Sequence, residues 1–418
     1  MNFFCTGIIA FAFVNFVSPQ SESTPEPVNT TSQVDFSWNA YKKTFSKYKE
    51  NFVMSPYSLR RLFSCLQGVK LLSPTANPKL QQELSKVLEL KPNDQPSEQA
   101  HRSYVAQWLR LAEAKNLNMT TMVVAIGRQK ASQAFDSIIE NCVIYTGYLQ
   151  PSTSKLMGQI INNALENITH HSVKDFLTET DINKNWKFFA VDSWQFKGLW
   201  KYKFQKEFTA TCNFFESKDK KALTNFMYLE ENLKYGHFPQ WKVQAVELPY
   251  DDQSPLSCVL LMPVGTSIDA LISGLNHTWF KQIYSKMVPS RTTVRLPQFG
   301  LRTTVPGRQL LEEMGLNVPF NNGVFQVFER GQKVLLGEIV QKVELEMGYE
   351  GQETAQRFVD KRSDKQFTAQ QPFVFVIFDR TDLVPVLMGQ YLKVPENASS
   401  EKEDKQHCEG PPNPSSFL

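Results

Sequence analysis

One segment limits what this chain can fold into more than any other. Lys342-Val343-Glu344-Leu345-Glu346-Met347 alternates polar and apolar residues and ends at Gly348-Tyr349-Glu350-Gly351. Then come 20 mostly polar residues, followed by the apolar run Pro372-Phe373-Val374-Phe375-Val376-Ile377-Phe378. Alternation with period 2 gives a strand with one face on a core, and the unbroken apolar run gives a strand buried on both faces. A polar stretch of that length between two strands runs over the surface, because its backbone groups need water as a partner. Two core strands therefore carry an exposed loop between them. We read the first strand as 333–347 and the exposed loop as 352–370.

The remaining sequence supplies a large α+β body. Of 418 residues, 41% are hydrophobic and 21% charged, as in globular proteins, and the net charge is only +3. Lys and Arg are interleaved with Asp and Glu, so no nucleic-acid partner is expected. The 31 Phe residues are spread along the chain and read as core filling. From Phe36 to about Lys115 the spacing is helical, with Phe36, Tyr41, Phe45 and Tyr48 on one face and Leu80, Leu84, Val87 and Leu88 on another. Thr120–Gly127 reads as a strand, Ile160–Leu177 as a helix and Trp186–Trp194 as a strand. Short strands then dominate, at Val243–Leu248, Cys258–Met262, Thr292–Leu296 and Phe373–Phe378, separated by Pro and Gly turns. Residues 36–394 read as one domain.

Both ends read as extensions. Phe3 to Val17 is an apolar run too short to span a bilayer, followed by small and polar residues, as in a secretory signal over residues 1–21. Residues 22–35 and 395–418 read as disordered. The mature protein is expected to be secreted and monomeric, with no membrane span. Sequons at Asn29, Asn118, Asn167, Asn276 and Asn397 fit that compartment as N-glycosylation sites. Without Cys5, the mature chain keeps Cys65, Cys142, Cys212, Cys258 and Cys408, an odd number. Buried free thiols, one intramolecular bridge and an intermolecular bridge all remain open.

No catalytic motif appears: no Gly-x-Ser-x-Gly, His-Glu-x-x-His, phosphate loop or dinucleotide fingerprint. Neighbours on a helix point about 100 degrees apart, so His170-His171 makes a poor metal site and reads as a solvated helix end. We expect neither an enzyme, a metal nor a cofactor.

Several segments, in order, resemble signature positions of the serpins. Asn51-Phe52-Val53-Met54-Ser55-Pro56-Tyr57-Ser58-Leu59 is similar to the segment that opens the family's buried shutter. Ile161-Asn162-Asn163 with Thr169, Val191-Asp192-Ser193 and Phe196-Lys197-Gly198-Leu199-Trp200 follow. Glu247-Leu248-Pro249-Tyr250, Leu260-Leu261-Met262-Pro263, Leu296-Pro297-Gln298-Phe299, Met314-Gly315-Leu316, Pro372-Phe373-Val374-Phe375 and Met388-Gly389 complete the set. The secretory features resemble the antitrypsin-like extracellular branch. The resemblance implies helices packed around three β-sheets and an exposed reactive-centre loop. In that family a protease cleaves the loop, and its N-terminal half inserts into the main sheet as a new strand.

By the same resemblance, Gly351, Gln352, Glu353, Thr354, Ala355 and Gln356 form the hinge. Candidate bait residues are Arg357, Lys361, Arg362 and Lys365, and the shutter comprises Ser55, Ser58, Asp192 and Gln341. Inhibitory members carry Thr or Ser and then small residues in the hinge, whereas here Gln352, Gln356, Asp360 and Arg362 would turn inward on insertion. Burying each unsatisfied amide costs about 1–3 kcal/mol. Asp192 and Gln341 replace the family's Asn and His. These departures point first to a non-inhibitory serpin that binds or carries a partner, such as a small hydrophobic ligand. The alternative is an inhibitor of a trypsin-like serine protease. Lys281, Lys286, Arg291 and Arg295 are too dispersed to make a strong polyanion site.

Overall fold

The apolar run after the loop becomes β13 (Phe373–Asp379), with every residue buried. It lies between two antiparallel neighbours, β8 (Leu256–Pro263) and β14 (Val384–Tyr391), both also buried throughout. The Phe375 ring lies across Gly389, where a side chain would collide with it. Phe299, Phe373 and Tyr391 stack beside it. This computed structural model describes residues 31–72, 77–88, 106–112, 114, 117–138, 142, 144–149, 153–169, 171, 173–183, 185–352 and 365–396.

The first sheet has nine strands. Its path is β1 (Phe52–Met54), β14, β13, β8, β7 (Val243–Pro249), β6 (Lys221–Phe238), β9 (Val288–Pro297) and β12 (Lys365–Thr368), with β5 (Gln205–Phe215) also on β6. The second has five, in the order β10 (Phe299–Pro306), β11 (Ile339–Met347), β4 (Phe188–Phe196), β2 (Leu117–Ile126) and β3 (Tyr145–Leu149). Three sheets were expected. Two hydrogen-bonded sheets form because β6, 18 residues long, pairs with β5 and β9 and also, through Tyr235–Phe238, with β7.

Other expectations shift at their edges. Helix α1 (Thr31–Lys47) begins inside the segment expected to be disordered up to residue 35. The strand expected from Lys333 begins only at Ile339. Before it, Val334 makes only an isolated bridge to Phe325, and the Gly337 N–H donates to the Phe188 carbonyl at 2.7 Å beneath the Trp186 ring. The helix expected over Ile160–Leu177 spans Ser154–Ile168, capped by Thr153. Asn162 binds the Leu177 N–H at 2.7 Å and its carbonyl at 2.8 Å, folding that segment back along the helix instead of extending it. The strand expected over Trp186–Trp194 is β4, two residues later.

Helix α2 (Pro56–Gly68) starts where the sequence signals a start: Ser55 caps it and Pro56 fills its first turn. Cys65 of α2 is disulfide-bonded to Cys142, Cys212 is disulfide-bonded as well, and Cys258 is buried and free. Beside Cys65 the Arg61 guanidinium lies 3.5 Å from the centre of the Trp108 ring and donates to the Cys142 carbonyl. Burial pulls its pKa down to about 10. No helix among the described residues is long and apolar enough to cross a membrane.

Candidate functional site at the seam between two parallel strands

β11 and β4 run parallel, from Ile339 opposite Ala190 to Leu345 opposite Phe196, with no strand between them. Parallel neighbours need a long connection, and nearly 150 residues separate these two in sequence. Their join is unlike the rest of the core, because polar residues cross it at successive levels.

In the buried centre Gln341 stands opposite Asp192. The Gln341 amide donates to Asp192 Oδ2 at 2.8 Å, to Ser58 Oγ at 3.0 Å and to the Ser55 carbonyl at 2.9 Å. Its own oxygen accepts the Ser55 N–H at 3.0 Å. Asp192 also accepts from the Ser58 hydroxyl, from Thr121 at 2.8 Å and from the Trp194 indole at 3.2 Å. The four expected shutter residues therefore meet in one network, to which Thr121 and Trp194 are additions. Burial pushes the Asp192 carboxyl above its ordinary pKa, and the hydrogen bonds from Ser58, Thr121, Gln341 and Trp194 pull it partly back. Replacing the family's Asn and His by Asp and Gln thus leaves a connected network, not an emptied one.

On the outer face, Glu344 accepts from Gln195 at 3.1 Å and pairs with Arg302 at 2.7 Å, and Glu346 pairs with Lys197 at 2.9 Å. Lower down, Lys342 reaches the Phe176 carbonyl and Asp181, the latter at 3.2 Å. Three donors, the Thr178 N–H, the Thr178 hydroxyl and the Lys342 ammonium, together with the Lys342 charge hold Asp181 below its usual pKa despite partial burial. Sequence reasoning missed these bridges. Their only trace is the alternation of Lys342, Glu344 and Glu346, which does not say what lies across the strand.

Above the seam the first residues of the expected hinge are tied down. The Trp200 N–H donates to the Glu350 carbonyl at 3.0 Å, the Gln352 N–H to Trp200 at 2.9 Å, and the Lys203 N–H to Gln352 at 3.1 Å. The Trp200 indole donates to the Gly348 carbonyl at 2.8 Å and stacks on Tyr250 at 4.5 Å. Gly351 passes so close that a Cβ there would sit 2.8 Å from the Trp200 oxygen, which is why glycine stands at this point. Glu353, Thr354, Ala355 and Gln356 of the expected hinge, with the bait candidates Arg357, Lys361 and Arg362, lie outside the described residues. Lys365 does not belong to a free loop: it opens β12 and pairs with Thr292. The exposed loop expected over 352–370 is shortened by that strand, in which Phe367 is fully buried.

Of the sequons, Asn118, Asn167 and Asn276 are exposed, and Asn276 also caps the helix His277–Lys286. Asn29, Asn397 and the leader lie outside the described residues. His171 pairs with Glu166 at 3.0 Å beyond a helix end, and His170 lies outside the described set.

A closed five-stranded sheet with a tethered loop stem beside its parallel seam defines a class. A family profile described as "Serpin (serine protease inhibitor)" matches residues 31–394. The chain belongs to the serpin family. It is 42% identical over 397 residues to a protein of Aedes albopictus named "FXa-directed anticoagulant", covering 94% of this chain and 95% of that one. A protein of the same name from Aedes aegypti is 40% identical over 409 residues, covering 97% and 98%. Among solved structures, SRPN18 from Anopheles gambiae superposes with a TM-score of 0.76 at 19% identity, over 88% of this chain and 98% of that one. That likeness speaks for the fold alone. The mosquito relatives do not specifically support the antitrypsin-like branch expected from the sequence.

Proposed function

We propose that this chain is an inhibitor of a trypsin-like serine protease of the factor Xa kind, acting outside the cell. The observation that carries this reading is the 42% identity, over nearly the whole chain, to a protein named for that activity. It favours the inhibitory alternative over the non-inhibitory carrier to which the hinge residues first pointed. The closed β4–β11 seam is consistent with it, since a sheet that is to accept a sixth strand must begin without one.

The protease's active serine attacks the carbonyl carbon of a basic bait residue. The peptide bond to the next residue breaks, its nitrogen leaves with a proton, and an ester joins protease to inhibitor. Entry of the loop between β4 and β11 then removes the protease from the geometry it needs to hydrolyse that ester. Arg357, Lys361 and Arg362 are the bait candidates, and Lys365 is set aside because it is held in β12. The polar residues at 352 and 356 slow insertion without forbidding it. Secretion and glycosylation at Asn118, Asn167 and Asn276 belong to the same reading.

The test is incubation with factor Xa, thrombin and trypsin, followed by boiling in detergent. We expect a detergent-stable complex with factor Xa that is larger than either protein and carries the chain up to the cleaved bond by its ester, abolished by replacing one of Arg357, Lys361 or Arg362 with Ala. Cleavage without a complex for all three proteases would return the chain to the carrier reading.

A further inference from the structure

One covalent bond leads out of the described residues. Cys65 is joined to Cys142, Cys258 is buried and free, and Cys212 of β5 is disulfide-bonded too. The sequence holds 6 Cys, so the partner of Cys212 is Cys5, Cys408 or a cysteine of a second copy. Cys212 stands between Ala210 and Phe214 on the core side of β5 and is only 6% exposed, which bars the approach of another folded chain. Cys5 lies in the apolar run read as a secretory signal, which leaves the chain on cleavage. Cys408 remains. The path of the chain agrees. The Phe214 ring lies 5.1 Å from that of Tyr391, and Glu216 accepts the Val394 N–H at 3.0 Å, so the C-terminal segment leaves the body beside the end of β5. Glu216 is four residues from Cys212, about 13 Å along a strand. The 12 residues from 397 to 408 can span about 40 Å.

A bond at this point holds a strand that is otherwise weakly held. Among the described residues β5 has β6 as its only strand neighbour, and their pairing slips between Gln205 and Ala210. Yet β5 carries both ends of the exposed loop. The Thr209 hydroxyl donates to Tyr349 at 3.2 Å, in the stem that leaves at Gln352, and the Phe215 N–H donates to the Gln370 carbonyl at 2.7 Å, just after the stem that returns in β12. Cys212 is three residues from each. We propose that Cys212 and Cys408 form an intramolecular disulfide that clamps the C-terminal segment onto β5, midway between the two attachments of the loop. In forming it the two thiols give two electrons and two protons to a disulfide of the oxidising secretory compartment, which is itself reduced to two thiols. The segment expected to be disordered is then tied to the body at one residue. The proposal rests on removal of the leader and not on inhibition.

The test uses the full chain secreted by eukaryotic cells, digested with trypsin without reduction and mapped by mass spectrometry. Peptide 207–218, which holds Cys212, should be joined to peptide 406–418, which holds Cys408, and the intact protein should run as a monomer on a non-reducing gel. Cys408→Ser should leave Cys212 open to alkylation after unfolding, lower the Tm by about 5 °C and raise amide exchange across 205–215 about tenfold. Peptide 207–218 joined to a peptide that holds Cys5, a dimer that reductant separates, or alkylatable thiols at 212 and 408 in the wild type would each overturn the bond. Unchanged exchange in the Cys408→Ser chain would overturn the clamp. If that variant is not secreted, the wild-type map decides the bond, and the double variant Cys212→Ala with Cys408→Ser, which leaves no unpaired thiol, decides the clamp. No readout involves a protease, so failure here is separate from failure of the inhibitory reading.

Discussion

The β8–β13–β14 strands are buried throughout, the β4–β11 pair on one face, and the two groups are joined by different forces. The first trio presents apolar side chains to its surroundings, interlocked by Phe375 over Gly389, and its strands are antiparallel. The second pair is parallel and is crossed by amide, carboxylate and ammonium groups. An apolar join is close to irreversible, because separating it exposes surface to water at roughly 25 cal/mol per Å². A polar join can open if incoming groups replace its hydrogen bonds, so the net cost of exchanging each is only about 1 kcal/mol. One region is held by buried apolar contact and the other by hydrogen bonds that incoming groups could replace.

The contrast can be broken at several points. Phe375→Ala empties the apolar join and should cost about 3–5 kcal/mol in denaturant unfolding; a loss below about 1 kcal/mol would deny that this region is the anchor. Asp192→Ala strands the donors of Ser58, Thr121, Gln341 and Trp194 and should cost about 2–4 kcal/mol. If the seam is the entered region, this variant should also accept an added peptide of the chain's own loop sequence faster than wild type, as read by native gels. Equal rates would separate stability from opening.

Asp192→Asn sharpens the comparison through pH. The folded-state pKa of Asp192 is raised, so the protonated group favours the fold at low pH, and that contribution is lost as pH rises through the raised value. The Asn variant has no such loss. Its Tm relative to wild type should therefore rise as pH climbs above the ordinary Asp value of 3.8, and a constant difference would mean that Asp192 titrates alike in the folded and unfolded chain. The smallest effect belongs to the outer face. Lys197→Ala breaks an exposed pair with Glu346 and should change stability by about 0.2–1 kcal/mol. A larger loss would show that the outer bridges, not the buried network, hold the seam.

Much of the anchor was legible in the sequence because burial on both faces leaves an unbroken apolar run, as in Phe373–Phe378. The shutter was legible only through resemblance: Ser55, Ser58, Asp192 and Gln341 are ordinary polar residues whose meeting depends on partners up to 286 residues away. Periodicity could not see Asn162 holding Leu177, which ended a helix early, nor β6 uniting two sheets. It could not pair Cys65 with Cys142, since spacing carries no information about which thiols approach. The hinge pointed to the non-inhibitory reading, which the mosquito relatives favour less than the inhibitory one. Gln352 and Gln356 state what an insertion would bury, but not what opening the seam would cost, which is set elsewhere in the molecule.

The pairing of β1 with β14 bears on how the protein is made. Phe52 lies beside Gln390, and the Tyr41 hydroxyl donates to the Gln390 side chain at 3.1 Å across 349 residues of chain. At about 5–20 residues per second on the ribosome, β1 waits on the order of tens of seconds for its partner to be synthesised. Helix α1 waits with it, since it rests on the same strand. The apolar residues of the N-terminal segment must be kept from other chains for that interval, so yield in an expression host should depend on chaperone supply and on an intact C-terminal strand. A chain that stops short of Val384 leaves its beginning unfinished as well as its end.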